Sequence, residues 1–215
     1  MPVRKIPKNY RNVTGIAASS KAGGAAQFES TLERDFLTLL EFSPEVKNID
    51  PQPVRIEWLD TNGCQRSYTP DVFVEFIESA GKPPWLCEVK YRSELLEKWA
   101  EFRPKFKAAF HFARERGWRF KIVTEREVRT PHLANARFLT SYRRTTPDAG
   151  VMLDILGHLS KMHEATPCDL IEAIRPDLTG QAQMISVLWH LIATFQIGVD
   201  LHKPLTMKSR IWSLS

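Results

Sequence analysis

The chain has 215 residues, with 30 Lys and Arg against 25 Asp and Glu and a hydrophobic share of 43%. That share excludes a disordered protein, and the length suits one well-packed domain or a main domain with a small companion. No apolar run approaches the ~18 residues that span a bilayer, the first residues lack a signal-peptide core, and three scattered cysteines suit reduced thiols, so a cytoplasmic protein with no membrane contact is expected.

Residues 1–25 read as a flexible basic arm, in which Arg4, Lys5, Lys8, Arg11 and Lys21 stand among small residues. A helix follows over residues 28–41. Wound at about 100° per residue, it gathers Ser30, Thr31, Arg34, Asp35, Thr38 and Glu41 on one arc. The other arc holds Phe28, Leu32, Phe36, Leu37, Leu39 and Leu40 together with Glu29 and Glu33. A carboxylate on an apolar face needs a proton, a cationic partner or a metal, and Glu33, mid-helix, is the stronger candidate. Residues 54–58 and 66–68 read as a strand pair turning at Asn62-Gly63. Two apolar strands come next, Val72–Ile77 and Trp85–Tyr91, joined by a break at 79–84. A helix from Pro104 to Arg116 ends at Gly117, with Phe106, Ala109, Phe110 and Ala113 as its buried stripe and Lys105, Lys107, His111 and Arg114 outward. A strand over 118–124 completes an α/β core of helices against a mixed sheet.

The texture changes after Pro147. Amphipathic helices are expected over 150–163 and 179–194 with a short one from Thr166 between them, then extended pieces over 195–200 and 209–212. Three helices and a hairpin describe a winged helix. The division expected is therefore an arm over 1–25, a main domain over 26–145 and a small domain over 146–215.

The chemistry concentrates where Asp71 opens the first apolar strand and Glu88-Val89-Lys90 closes the second. A period of two places Glu88 and Lys90 on one sheet face, and pairing of the strands brings Asp71 to them. Two carboxylates and an ammonium at one sheet edge suit metal-dependent hydrolysis. The competing reading is an ordinary cross-strand salt bridge.

A glutamate on a helix, Pro70-Asp71 at a strand start and Glu88-x-Lys90 on the next strand resemble, in that order, the PD-(D/E)xK nuclease fold of restriction endonucleases. Within that fold residues 28–36, 46–54 and 68–71 resemble the TnsA family, the nuclease subunits of heteromeric transposases. The resemblance covers roughly residues 26–130. It implies catalytic positions at Glu33, Asp71, Glu88 and Lys90, with Gln52 as a supporting residue that either bonds a catalytic carboxylate or a DNA phosphate, or merely forms a turn between prolines. Glu29 is a second supporting position. It further implies Mg²⁺, replaceable by Mn²⁺, held by Asp71, Glu88, the main-chain carbonyl of Val89 and, directly or through water, Glu33. Lys90 would orient or help deprotonate the attacking water, and the products would be a 5′-phosphate and a 3′-hydroxyl.

Residues 1–145 carry 25 Lys and Arg against 18 Asp and Glu, a net of +7, whereas residues 146–215 carry 5 against 7, a net of −2. Phosphate binding therefore belongs to the first part, with Arg4, Lys5, Lys8, Lys105, Lys107, Arg143 and Arg144 as candidates. Residues 181–190 contain no Lys or Arg, which favours protein docking over groove reading by the small domain. The resemblance then implies double-stranded transposon ends as substrate, cut on their 5′ strands, in a prokaryotic, nucleoid-associated setting. A TnsB-like transposase and a TnsC-like AAA+ ATPase would be its partners, the latter through the small domain. A free-standing restriction or repair nuclease, and a non-catalytic DNA-binding regulator on the same fold, are the alternatives.

Overall fold

The computed structural model describes residues 15–60, 62–175 and 178–214, so Arg4, Lys5 and Lys8 lie outside the described residues. The chain separates into two compact units, Met1–Arg129 and Thr130–Ser215.

In the first unit, α1 (Thr31–Phe42) is capped by Ser30, whose hydroxyl accepts from the Glu33 amide. Leu32, Phe36, Leu37 and Leu40 form its buried stripe. Asp35, placed on the polar arc by periodicity, is buried too, paired with Arg34 and with Arg129. Upstream, β1 (Gly15–Ser19) and β2 (Gly24–Phe28) pair antiparallel, where the sequence suggested continuous flexible arm. The small residues there serve a turn, at Gly23 (φ 65°) and Gly24 (φ 113°), and a close-packed Ala26. Glu41 of α1 clamps that turn, accepting from the Ser19 and Ser20 hydroxyls at 2.7 and 2.5 Å.

The main sheet has the order β3-β6-β7-β8, built from β3 (Val46–Pro51), β6 (Val72–Phe76), β7 (Trp85–Val89) and β8 (Arg119–Val123). A separate hairpin, β4 (Ile56–Leu59) with β5 (Gln65–Tyr68), precedes β6. The first three strands of the sheet are antiparallel neighbours, and β7 and β8 are parallel. That parallel pair requires a crossover, supplied by α2 (Arg92–Glu97) and α3 (Trp99–Glu115). α3 begins five residues before Pro104, which sits inside it. Its buried stripe is consequently Phe102, Phe106, Ala109 and Ala113, and Phe110, assigned to the stripe by sequence, is half exposed. Ala109 and Ala113 close on Leu86 and Ile56, with Tyr68, Phe73, Phe112, Trp118 and Phe120 around them. Burying a leucine as completely as Leu86 contributes about 1.5–3 kcal/mol. The unit ends with α4 (Glu125–Val128), started by a Thr124–Glu127 capping box.

The second unit contains α5 (Pro131–Arg143), α6 (Ala149–Met162), β9 (Glu164–Ala165), α7 (Pro167–Ile174), α8 (Leu178–Ala193), β10 (Ile197–Val199) and β11 (Ile211–Ser213). The strands form a sheet in the order β10-β11-β9. α5, which the sequence division placed with the first part, packs on α8. α8 also packs on α6 and α7, and Leu188, Leu191 and Ile192 of α8, Ile155 and Leu159 of α6 and Leu170 of α7 are all buried. Gly198 admits no side chain, because a Cβ there would lie 2.2 Å from the Trp212 indole nitrogen. Among the described residues, no helix is long and apolar enough to cross a membrane.

Candidate active site

Strand register assembles the site. Pro51 pairs with Val72, and Val72 pairs with Cys87, so the next row across the three strands is Gln52, Asp71 and Glu88. Main-chain bonds continue into that row: the Gln52 amide donates to the Asp71 carbonyl at 2.9 Å, and the Asp71 amide donates to the Cys87 carbonyl at 3.1 Å. Alternation then gives Lys90 the same face as Glu88.

The side chains meet as that row predicts. Lys90 Nζ lies 3.3 Å from Glu88 Oε1 and 3.7 Å from Asp71 Oδ2, and it donates to the Val89 carbonyl at 3.2 Å. Asp71 Oδ2 also accepts from the Val89 amide at 2.7 Å. Glu88 is only 1% exposed, and its Oε2 accepts from the Tyr68 hydroxyl at 2.5 Å. Lys105 reaches in from α3 and stands 3.3 Å from Glu88 Oε1. It is thus not on the outward face: it flanks the buried stripe, with its ammonium over the Phe102 and Phe106 rings. Lys107 is exposed as expected. The cleft, about 540 Å³, is lined by Glu29, Gln52, Arg55, Ser67, Tyr68, Thr69, Asp71, Glu88, Lys90 and Lys105.

Charge in this cleft is crowded. Burial first, and then the charges of Glu88 and Glu33, hold the Asp71 carboxyl well above the usual carboxylate range, against the pull of Lys90. Burial draws the Lys90 ammonium down, but Asp71, Glu88 and Glu33 together raise it above its ordinary value. The Tyr68 phenol is pushed far up by burial and by the neighbouring Glu88 and Asp71, so it stays a hydrogen-bond donor.

Helical periodicity put Glu29 and Glu33 on the same arc and favoured Glu33, but the structure separates them. Glu29 precedes the helix and points into the cleft, where its Oε1 accepts from Gln52 Nε2 at 3.0 Å. Glu33 turns both oxygens into the helix start, accepting from the Ser30 hydroxyl at 2.9 Å and the Glu29 amide at 2.8 Å. Burial, the largest influence, leaves the Glu33 carboxyl raised despite these bonds. The pattern Ser30-x-x-Glu33 is a capping-box signature, legible in the sequence and distinct from a buried-ligand pattern. Glu33 thus reaches Asp71 and Lys90 through its field.

Gln52 is more than a turn residue. It is buried, adopts φ 51° in the left-handed region, and leaves its side-chain carbonyl buried without a partner among the described residues. Non-glycine residues in that conformation concentrate at functional sites. Tyr68, not singled out as a site residue from the sequence, joins the cleft through its bond to Glu88. Its signal was its position three residues before Asp71, at the end of the neighbouring hairpin.

The donor set can be tested against a metal on these observations. Among the described residues no three His, Cys, Asp or Glu side chains gather as a ready cluster. Two hard carboxylates, Asp71 and Glu88, do converge with the Val89 carbonyl adjoining, and burial first, then the charges of Glu88 and Glu33, raise the Asp71 carboxyl. Hard oxygen donors of this kind fit a hard divalent cation. In the second unit, Arg144 is exposed, while Arg143 is half-buried with its guanidinium 5.8 Å from the Phe195 ring centroid.

Residues 43–125 match the family described as TnsA-like endonuclease N terminal, and residues 127–201 match TnsA endonuclease C terminal. The first match contains Gln52, Asp71, Glu88, Lys90 and Lys105 and begins after Glu29 and Glu33. The two matches meet beside the division between the compact units. No curated protein matches the chain.

Proposed function

The chain belongs to the TnsA family of endonucleases, and on that premise we propose that it is the nuclease subunit of a heteromeric transposase, hydrolysing the 5′ strands at transposon ends in double-stranded DNA. The observation that carries the reading is the row Gln52, Asp71, Glu88, joined by Lys90 in one cleft.

TnsA-like endonucleases are metal-dependent in general, and the donors here suit Mg²⁺ or Mn²⁺. Asp71, Glu88 and the Val89 carbonyl would hold the ion. When bound, such an ion makes a water nucleophilic at neutral pH and neutralises charge on the phosphoryl oxygens. Lys90, fixed between both carboxylates, orients the attacking water and offsets the negative charge that grows during attack. Tyr68 holds Glu88 in one orientation. Gln52 anchors Glu29 at the cleft wall, and Glu33 adds negative field from the helix start. Cleavage of this type leaves a 5′-phosphate and a 3′-hydroxyl.

Backbone phosphates are met by Arg55 in the cleft wall, by Lys107, by the arm residues Arg4, Lys5 and Lys8, and by Arg144 with Arg143. The three helices α6, α7 and α8 with the sheet β10-β11-β9 form a winged helix in this reading. Because α8 contains no Lys or Arg, the unit docks a TnsC-like AAA+ ATPase or a TnsB-like transposase rather than reading a groove.

The test is reconstituted excision on a plasmid carrying element ends, with the transposase and ATPase supplied and cuts mapped to the nucleotide. Cuts on the 5′ strands that disappear in Asp71→Asn and Lys90→Ala are expected. Cuts that persist in both variants would reject the assignment.

A further inference from the structure

Glu88 is held by two ammonium groups and a phenol. Lys90 and Lys105 both stand 3.3 Å from the same oxygen, Oε1, and Tyr68 occupies the other. Lys90 is fixed by its strand, by the Val89 carbonyl and by Asp71. Lys105 comes from a different element, α3, on a long flexible stem, and among the described residues Glu88 is its one carboxylate partner. Its ammonium lies among three aromatic faces, 4.4 Å from the Phe102 centroid, 4.9 Å from Tyr68 and 5.2 Å from Phe106. Attraction to those faces adds to attraction to the carboxylate, so the position is a built cation site occupied by a side chain. A divalent ion accepted by Asp71 and Glu88 would approach the oxygen that Lys105 already holds. Like charges at such a separation repel strongly even at an effective dielectric of ~20.

We propose that Lys105 is a placeholder cation at Glu88, which satisfies the buried carboxylate until a divalent metal displaces it and thereby raises the metal concentration the site needs. The stem lines the cleft, so the displaced ammonium has solvent-accessible space to enter. The inference rests on the reading of Asp71 and Glu88 as a cation site.

Calorimetric titration of Mn²⁺ into the full chain tests it, comparing wild type, Lys105→Met, Lys105→Arg and Asp71→Asn. Lys105→Met keeps the stem without the charge and is expected to bind Mn²⁺ about tenfold more tightly than wild type. Lys105→Arg keeps the charge and stays close to wild type. If Lys105 served only to pack the cleft, its removal would leave Mn²⁺ binding unchanged or weaken it. If wild type binds, Asp71→Asn does not, and Lys105→Met binds no better than wild type, the placeholder is overturned and the cation site stands. Absence of binding in both wild type and Lys105→Met overturns the two together. Should Lys105→Met melt below the assay temperature, Lys105→Gln replaces it, with the rise in melting temperature on adding Mn²⁺ as a second readout.

Discussion

Tyr68→Phe removes one oxygen atom and isolates what the Tyr68 hydroxyl does for Glu88. The ring, its edge contact with Phe106 at 6.4 Å and its face beneath Lys105 all remain. Lost is the donor 2.5 Å from Glu88 Oε2, on a residue only 1% exposed. A hydrogen bond to a charged group contributes about 1.5–3 kcal/mol, so the first unit should lose that much stability. For a chain of this size the loss lowers the melting temperature by about 3–12 °C. Urea denaturation followed by far-ultraviolet circular dichroism reads the change, with the slope unaltered and the midpoint moved. A loss below about 0.5 kcal/mol would contradict a buried bond at Glu88, because surface substitutions without a buried partner fall within that range. The same phenol is pushed far above its ordinary value, so tyrosinate absorbance in an alkaline titration should lose no component below pH ~12 when Tyr68 becomes Phe.

Glu41 provides a pH-dependent test of the hairpin β1–β2. Burial raises its carboxyl, but hydrogen bonds from Ser20 and Ser19 outweigh burial and leave it below the ordinary value of 4.5. A depressed folded value means stability present above about 4.5 and lost as pH falls through the folded value. Glu41→Gln should therefore destabilise the hairpin at pH 7, read by amide exchange, and flatten that acid-side loss. An unchanged acid profile would sink the assignment. Gly198→Ala should lower stability of the second unit by about 1–3 kcal/mol through collision with Trp212, and a neutral result in denaturant titration would contradict the packing described there.

The strands of the site were legible because their chemistry and periodicity agree. Asp71 and the Glu88–Lys90 pair sit at the ends of apolar runs, and alternation alone puts Glu88 and Lys90 on one face. What was not legible depends on element boundaries. Starting α3 at Pro104 instead of Trp99 left Phe102 out of the stripe, which drew the stripe's centre toward Phe110 and away from Lys105, because a proline in the first turns of a helix reads as its start. Starting α1 at Phe28 instead of Thr31 put Glu29 on the helix, although it belongs to the cleft. The strained Gln52 and the row it shares with Asp71 and Glu88 arise from the register of β3 on β6, a long-range pairing that no local pattern encodes.

The chemistry proposed for the cleft requires that Asp71 and Glu88 hold a divalent metal at the strand edge. Calorimetric titration of Mn²⁺ into wild type, Asp71→Asn and Glu88→Gln, with and without a DNA end, tests it most directly. Binding by wild type and its loss in both variants is expected. Equal behaviour of all three proteins under both conditions would contradict it, and would leave the carboxylates and Lys90 as a salt-bridged strand pair.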